Sequence, residues 1–336
     1  MARNLQVVLA SRPKGEVVED NFRIEEVPLA PLAEGQLRVR NHWLSLDPYM
    51  RGRMEASRSY ARAVEIGEVM VGGTVGEVVE SRHPAFHPGD EVAGALGWQE
   101  YGVSDGKGLT RVDSSIAPSS YYLGILGMPG VTAWVGLMDV AQARAGETVV
   151  VSAASGAVGS VVGQIARIQG CHVVGIAGGP AKCGWCANEL GYAACIDYKA
   201  PNFAENLRAA LPRGVDVLFE NVGGEVMDTA LRCMNPFSRI ALCGMISTYD
   251  NGAGSRTAPA MPNLRSLLVN RIRLQGFIVT DKMDLWPRAI SELAGWLKEG
   301  RLRYRETVAQ GLGAAPRAFI GLLRGENFGK QLVKLT

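Results

Sequence analysis

ETVVVSAASGAVGSVVGQIARIQGCHVVGIAGG, residues 147–179, is the stretch that decides how this chain is organised. The β-branched run TVVVS (148–152) reads as a buried strand. It feeds Ala154-Ser155-Gly156-Ala157-Val158-Gly159, after which SVVGQIARI (160–168) shows the apolar spacing of a helix. A second apolar run, CHVVGIA (171–177), closes a strand–loop–helix–strand unit of about thirty residues, the size of one crossover. Glycine at 156 lets the backbone come close to a pyrophosphate, and glycine at 159 lets the helix pack tightly on its strand. The helix start offers free N–H groups and a positive dipole end to phosphates. Ala154 stands where such a turn usually has its first glycine, so an ordinary glycine-rich strand-to-helix turn is the competing reading.

The composition sets wide bounds. At 336 residues the chain is too long for one small core, and two domains are expected. Apolar residues make up 47% and charged residues 20%, a globular balance that excludes a disordered chain. The 35 basic and 33 acidic residues are well mixed, and the net charge of +2 favours neither nucleic acid nor an anionic membrane as partner. The start, Met1-Ala2-Arg3-Asn4-Leu5, has no apolar core or cleavage pattern of a signal peptide. Two uncharged windows, 116–138 and 148–166, are long enough to cross a bilayer. The first holds Pro118, Pro129 and four glycines, and the second is the strand–loop–helix above, so both read as core. Six cysteines, 171, 183, 186, 195, 233 and 243, lie in one region, which is no secreted disulfide framework and fits a reducing cytoplasm.

Residues 1–120 read as short strands and turns, with strands expected at 6–10, 22–27, 36–44, 73–80, 91–95, 98–103 and 108–112. Pro13, Gly15, Pro28, Pro31, Gly35 and the Pro88-Gly89-Asp90 turn punctuate them, and a barrel-like β domain is the expected result. The segment 118–140 is helical in composition and carries the chain into a second region. There, strands at 148–152, 173–177, 194–197, 215–220, 239–243 and 273–277 alternate with helices at 181–190, 203–211, 224–233 and 262–270. Such alternation means a parallel sheet covered on both faces. A last helix is expected at 285–299, followed by strand-like runs at 301–308 and 325–335 that return to the first domain.

In a dinucleotide fold the second strand usually ends in a carboxylate that binds the adenine ribose of NAD. Here that position lies near Gly178-Gly179, no carboxylate follows until Glu189, and Lys182 comes three residues after Gly179. A cation without a carboxylate suits a 2′-phosphate and favours NADPH over NADH; a solvated lysine at a helix end is the alternative. Cys183-Gly184-Trp185-Cys186 is a C-x-x-C at a helix start, where a thiol pKa can fall. It follows the wrong strand for a thioredoxin site, and no second C-x-x-C completes a zinc site, so it reads as a coincidence of helix-face cysteines. The histidines 42, 83, 87 and 172 have no metal-ligand spacing. Tyr49, in LDPYMR (46–51), and Tyr249, in GMISTY (244–249), each follow a turn or strand, and by default are core or rim residues.

Taken together, these residues make the chain resemble the zinc-independent medium-chain dehydrogenase/reductases, in the branch of prostaglandin, plant alkenal double-bond and bacterial curcumin reductases. The resemblance rests on LDPYMRGRM (46–54), GEVMVGGTVGEVVES (67–81), GMPGVTAW (127–134), SAASGAVGSVVGQIAR (152–167), VVGIAGG (173–179), IDYK (196–199), ENVGG (220–224), LCGMISTY (242–249), LQGF (274–277) and NFGK (327–330). It covers nearly the whole chain. It implies an α/β protein with a GroES-like β domain at 1–125, completed by 305–336, and a Rossmann doubly wound domain at 126–304.

The resemblance also implies a site. NADPH would place its 2′-phosphate on Lys182 and Tyr198 and its pyrophosphate over Ser155, Gly156, Ala157, Val158 and Gly159. Further cofactor contacts would fall on Met128, Thr132, Asn221, Cys243, Gly244, Phe277, Val279 and Asn327, with Tyr49 and Tyr249 on the substrate side. Zinc-dependent relatives carry ligands near 46–49 and 67–72; this chain has Asp47 and Tyr49 in the first, no histidine in the second, and no four-cysteine lobe, so no metal is expected. The expected reaction is hydride addition to the β-carbon of an α,β-unsaturated ketone or aldehyde. A quinone reductase and a non-catalytic NADPH sensor are the alternatives. The loops 57–65 and 251–262 are expected to shape the pocket, and relatives suggest a homodimer.

Overall fold

Three consecutive valines make Thr148–Val151 a strand whose four residues are all buried. In the computed structural model, which describes residues 3–57, 59–251 and 260–336, this strand lies inside a six-stranded parallel sheet. The order across the sheet is Ala194–Asp197, His172–Ala177, Thr148–Val151, Val215–Glu220, Met234–Leu242 and Arg273–Gly276. Numbered along the chain within this sheet, that is 3-2-1-4-5-6, the doubly wound nucleotide-binding order. The direction of winding reverses between Thr148–Val151 and Val215–Glu220, so their carboxyl ends open the crevice where such sheets take ligands. Helices Gly159–Ile168, Pro180–Asn188, Phe203–Ala209 and Gly224–Leu231 connect the strands. Val150, Val174, Ile176, Leu207, Leu218, Met227 and Ile240 form one core beneath them.

The chain folds as two compact units, Ile125–Thr248 with Arg256–Arg305, and Met1–Gly124 with Tyr249–Ser255 and Glu306–Thr336. The second of these is built on mostly antiparallel strands, with one parallel pair, Glu306–Gln310 beside Lys330–Lys334. Glu306–Gln310, Lys330–Lys334, Leu37–Ser45, Thr74–Ser81, Glu91–Gly94 and Thr110–Arg111 lie in that order, with Tyr101–Ser104 also paired to Leu37–Ser45. Lys330–Lys334 runs antiparallel to Leu37–Ser45 and so ties the end of the chain to its beginning. Arg3–Leu9 and Phe22–Pro28 form a separate two-stranded ribbon.

Two short elements of this unit differ from the sequence reading. A helix at Ala315–Leu323 follows the one expected to be last. Its Ala315, Phe319 and Leu322 are buried at a spacing of one helical face. Phe319 meets Trp98 edge-on at 5.6 Å, and Trp98 stacks on Phe22 at 5.4 Å. Tyr49–Arg53 is a single helical turn directly after Pro48. No helix among the described residues is long and apolar enough to cross a membrane. The window 116–138 is split into a 3-10 turn at Ser119–Leu123, a helix at Met128–Trp134 and a π-helical stretch at Val135–Val140.

The strand Val215–Glu220 ends on a carboxylate with no solvent exposure. Glu220 Oε1 accepts from the N–H of Val222 at 2.6 Å, the N–H of Gly223 at 2.7 Å and Ser152 Oγ at 3.0 Å. Its Oε2 has no hydrogen-bond partner among the described residues. Burial outweighs those donors and raises the carboxyl to about 7 from 4.5. Between those values the unfolded chain gives up this proton while the folded chain keeps it, so the group subtracts stability as pH rises through that window. The full difference is about 3 kcal/mol. Glu220→Gln keeps the Oε1 acceptor and removes the titration. Chemical denaturation at pH 5 and pH 8 should show the variant gaining on the parent protein by roughly that amount; a constant gap across pH would refute the assignment.

Candidate functional site

At the switch point of the parallel sheet, the chain turns from Val151 into the helix at Gly159 in very little space. Ala153 adopts φ +47°, the left-handed region that ordinarily favours glycine. Ala154, where the sequence pattern looked for a glycine, sends its N–H to the carbonyl of Ile176 at 2.9 Å. The left-handed step is therefore taken one residue earlier than the motif suggests. A Cβ on Gly159 would collide with the Ala153 carbonyl oxygen, so no side chain fits there. A Cβ on Gly156 would meet that same carbonyl at 3.2 Å and, chain neighbours aside, nothing else within 4 Å among the described residues. Ser155 is buried, while Gly156, Ala157 and Val158 are partly exposed at the start of the helix.

The neighbouring strand ends are clipped to this turn. Asn221 donates its backbone N–H to Ser152 Oγ at 2.7 Å and its side-chain amide to the Ser152 carbonyl at 2.8 Å. Cys243 and Gly244 donate their N–H groups to the Glu220 carbonyl at 2.8 and 3.1 Å. The Cys243 thiol is pushed up to about 12 by burial and by Glu220, so it stays protonated. Asn221, Cys243 and Gly244 thus lie together at the carboxyl ends of adjacent strands. Farther along, Phe277 packs edge-on against Phe219 at 6.2 Å, and Val279 is buried just beyond the last strand. Thr132 donates its hydroxyl to the Met128 carbonyl at 2.7 Å, within the Met128–Trp134 helix.

The second and third strands end in a basic loop. A Cβ on Gly178 would meet the Tyr198 ring at 2.9 Å and Lys199 Cε at 3.1 Å. Lys199 Nζ stands 5.9 Å from the Tyr198 ring centroid. Lys182, half-buried in the first turn of Pro180–Asn188, has its pKa lowered by burial and then by the charge of Lys199. The nearest carboxylate in this loop is Asp197, from the third strand, and its Oδ1 accepts the N–H groups of Gly179 at 2.8 Å and Lys199 at 2.9 Å. Lys182 and Tyr198, the residues expected to face a 2′-phosphate, lie in this loop together with Asp197 and Lys199, which nothing local in the run IDYK marks out. The C-x-x-C thiols sit beneath this loop, and Cys195 lies within hydrogen-bond reach of both Cys183 and Cys186. That contact holds the Cys183 thiol below its usual range and drives Cys195 well above it.

The two tyrosines belong to the antiparallel unit. Tyr49 opens the helical turn Tyr49–Arg53, and its phenol is raised well above 10 by burial and then by the Asp47 charge. Asp47 is fixed by a buried ion pair: Lys330 Nζ lies 2.7 Å from Asp47 Oδ1 and donates to the Leu46 carbonyl at 2.7 Å. Ser45 Oγ donates to the other carboxylate oxygen. Burial pulls the Lys330 ammonium down, and Asp47 opposes that pull. Tyr249 lies in the 3-10 segment Ile246–Asn251. Arg51, in the Tyr49 turn, donates Nε to Asp250 Oδ1 at 3.1 Å. Arg51 and Lys330 were not singled out from sequence because a buried charge has no local signature, and Asp250, partly exposed, reads like any solvated carboxylate. Asn327 donates its amide to the Gly329 carbonyl at 2.8 Å, just before the last strand.

Of the loops expected to shape the pocket, residues 58 and 252–259 lie outside the described residues. Among the described residues, no group of three or more His, Cys, Asp or Glu is placed to hold a metal ion.

Comparison with known proteins places this arrangement in a family. Residues 5–112 match the family described as N-terminal domain of oxidoreductase, and residues 157–295 match the one described as zinc-binding dehydrogenase. NADPH-dependent curcumin reductase of Escherichia coli (strain K12) is 47% identical over 99% of this chain and 97% of its own length. The 2-alkenal reductase (NADP(+)-dependent) of Nicotiana tabacum is 40% identical over 99% of this chain and 98% of its own. Among solved structures, CurA in complex with NADPH from Vibrio vulnificus superposes with a TM-score of 0.94 at 45% identity, covering 100% of this chain and 99% of that one. The chain belongs to the zinc-independent medium-chain dehydrogenase/reductases, in the branch that holds the curcumin, prostaglandin and alkenal reductases.

Proposed function

We propose that this protein is an NADP-dependent oxidoreductase that reduces the carbon–carbon double bond of α,β-unsaturated ketones and aldehydes. The observation that carries the reading is the pair of cations, Lys182 and Lys199, standing at the end of the second and third strands where an NAD-binding fold would present a carboxylate to the ribose. The residues present fit the cofactor. Gly159 has no room for a side chain, which brings the helix start close to the strand end, and the Gly156 position is open on its outer side. A 2′-phosphate beside Lys182 and Tyr198 would relieve the repulsion between the two lysines. Met128, Thr132, Asn221, Cys243, Gly244, Phe277, Val279 and Asn327 would supply the remaining contacts. The names of the Escherichia coli and Nicotiana tabacum relatives support the same cofactor and reaction class.

When bound, NADPH supplies the hydride that the β-carbon of the substrate accepts. The protein's part is electrostatic: negative charge grows on the substrate carbonyl oxygen as the double bond is reduced, and a donor aimed at that oxygen lowers the barrier. Tyr249 is that donor in this reading. Tyr49 positions the carbonyl, and because burial and Asp47 keep its phenol protonated, it remains a hydrogen-bond donor throughout the neutral range. The Lys330–Asp47 pair fixes the backbone from which Tyr49 projects.

The outer strand Arg273–Gly276 has four exposed residues at the sheet edge, and Leu268 beside it is 79% exposed. An open edge with apolar neighbours supports a homodimer formed there by a second copy of the chain. Sedimentation equilibrium should return twice the chain mass, and Leu268→Glu should halve it; a monomeric parent protein would contradict the dimer.

The reaction is tested by mixing the purified protein with NADPH and either a medium-chain 2-alkenal, the matching saturated aldehyde, or a benzoquinone. NADPH oxidation is expected with the alkenal, and not with the saturated aldehyde. Equal rates with both aldehydes, or turnover with the quinone alone, would contradict the assignment.

A further inference from the structure

The buried guanidinium of Arg51 joins two segments that the chain separates by 199 residues. Its side chain is 1% exposed. Nη1 donates to Glu55 Oε1 at 2.8 Å and Nη2 to the Gly15 carbonyl at 2.9 Å, so two of its three nitrogens are fixed by partners within the first sixty residues. The guanidinium is planar and rigid, and fixing two nitrogens also fixes the direction of the third. That third nitrogen, Nε, donates to Asp250 at 3.1 Å.

The sequence neighbours give this bond its meaning. Arg51 lies two residues after Tyr49 in the same helical turn, and Asp250 directly follows Tyr249. The segment carrying Tyr249 is a short 3-10 stretch, a conformation of poor hydrogen-bond geometry that rarely persists without outside support. We propose that Arg51 is a positioning residue for the reduction, holding the Tyr249 segment through Asp250 in fixed relation to the Tyr49 turn. This rests on the two tyrosines being the carbonyl-binding groups. In this reading Arg51 and Asp250 each act through the tyrosine near them in sequence. Misplacement of a donor by a fraction of its hydrogen-bond length is enough to lower turnover without changing how tightly a cofactor binds elsewhere.

Asp250 is the place to break the tie, because its side chain is 37% exposed and its truncation leaves no cavity. Asp250→Ala should lower kcat for a 2-alkenal on the order of tenfold or more, with KM for NADPH unchanged. Asp250→Asn, which keeps an oxygen acceptor for Nε, should restore most of the loss. Glu55→Ala removes a different partner of the same guanidinium and should lower kcat far less, whatever its effect on melting temperature. A purely structural role predicts instead that kcat falls in step with melting temperature in both alanine variants. Hydrogen exchange of the 246–250 amides reads the tether without substrate: it should quicken in Asp250→Ala and not in Glu55→Ala. Unchanged exchange and unchanged kcat in Asp250→Ala would overturn the proposal. A parent protein that shows the exchange pattern but does not reduce a 2-alkenal would count against the reaction and leave the tether standing.

Discussion

The close approach of Gly159 to the Ala153 carbonyl, with space for a hydrogen and nothing larger, is the constraint on which the nucleotide unit depends. It sets the helix start directly against the end of the central strand, so the N–H groups and dipole of that helix face the crevice at the switch point. Ala153 makes this possible by taking a left-handed conformation that costs a non-glycine residue of order 1 kcal/mol. Offsetting that cost are the hydrogen bonds that clip Asn221 to Ser152 and Cys243 and Gly244 to Glu220. The same loops that could touch a cofactor are therefore the loops that hold the sheet's carboxyl end together.

In the antiparallel unit, the Tyr49 turn is anchored by buried charged groups. Asp47, which precedes the Tyr49 turn, forms a buried pair with Lys330, and Arg51 within the turn pairs with Glu55 and donates to the Gly15 carbonyl. Buried ion pairs contribute little net stability, because desolvation offsets most of the attraction, but breaking one by removing a partner is costly. What such pairs supply here is a fixed geometry. In the proposed reaction, a phenol that keeps its proton on an anchored turn is a donor whose direction is set in advance.

Much of this was legible in the sequence, and what was missed shares one cause. The parallel strands read clearly because TVVVS and CHVVGIA are short, mostly apolar runs of strand length, and VDVLFE carries a β-branched and aromatic core. The turn after the first strand read correctly in kind, although its left-handed residue is Ala153 and not the position the motif marks. The helix Ala315–Leu323 was overlooked although Pro316 and the spacing of Ala315, Phe319 and Leu322 announce it; its small residues weaken the apolar signal. Glu220, Lys330 and the Arg51–Asp250 bond could not be read at all. The partners of Arg51 and Lys330 lie far along the chain, Glu220 is buried at a strand end by the fold around it, and no local pattern distinguishes these charges from solvated ones.

The proposed chemistry requires a dinucleotide lying across that turn with its extra phosphate beside Lys182. Titrating the protein with NADPH and with NADH, before and after Lys182→Ala, measures this most directly. A charge-assisted contact of about 1.5–3 kcal/mol corresponds to roughly ten- to hundredfold in affinity. The parent protein should prefer NADPH by at least that factor, and the variant should lose most of the preference while binding NADH as before. Equal affinity for the two cofactors, or a preference that survives the substitution, would contradict that placement of the phosphate.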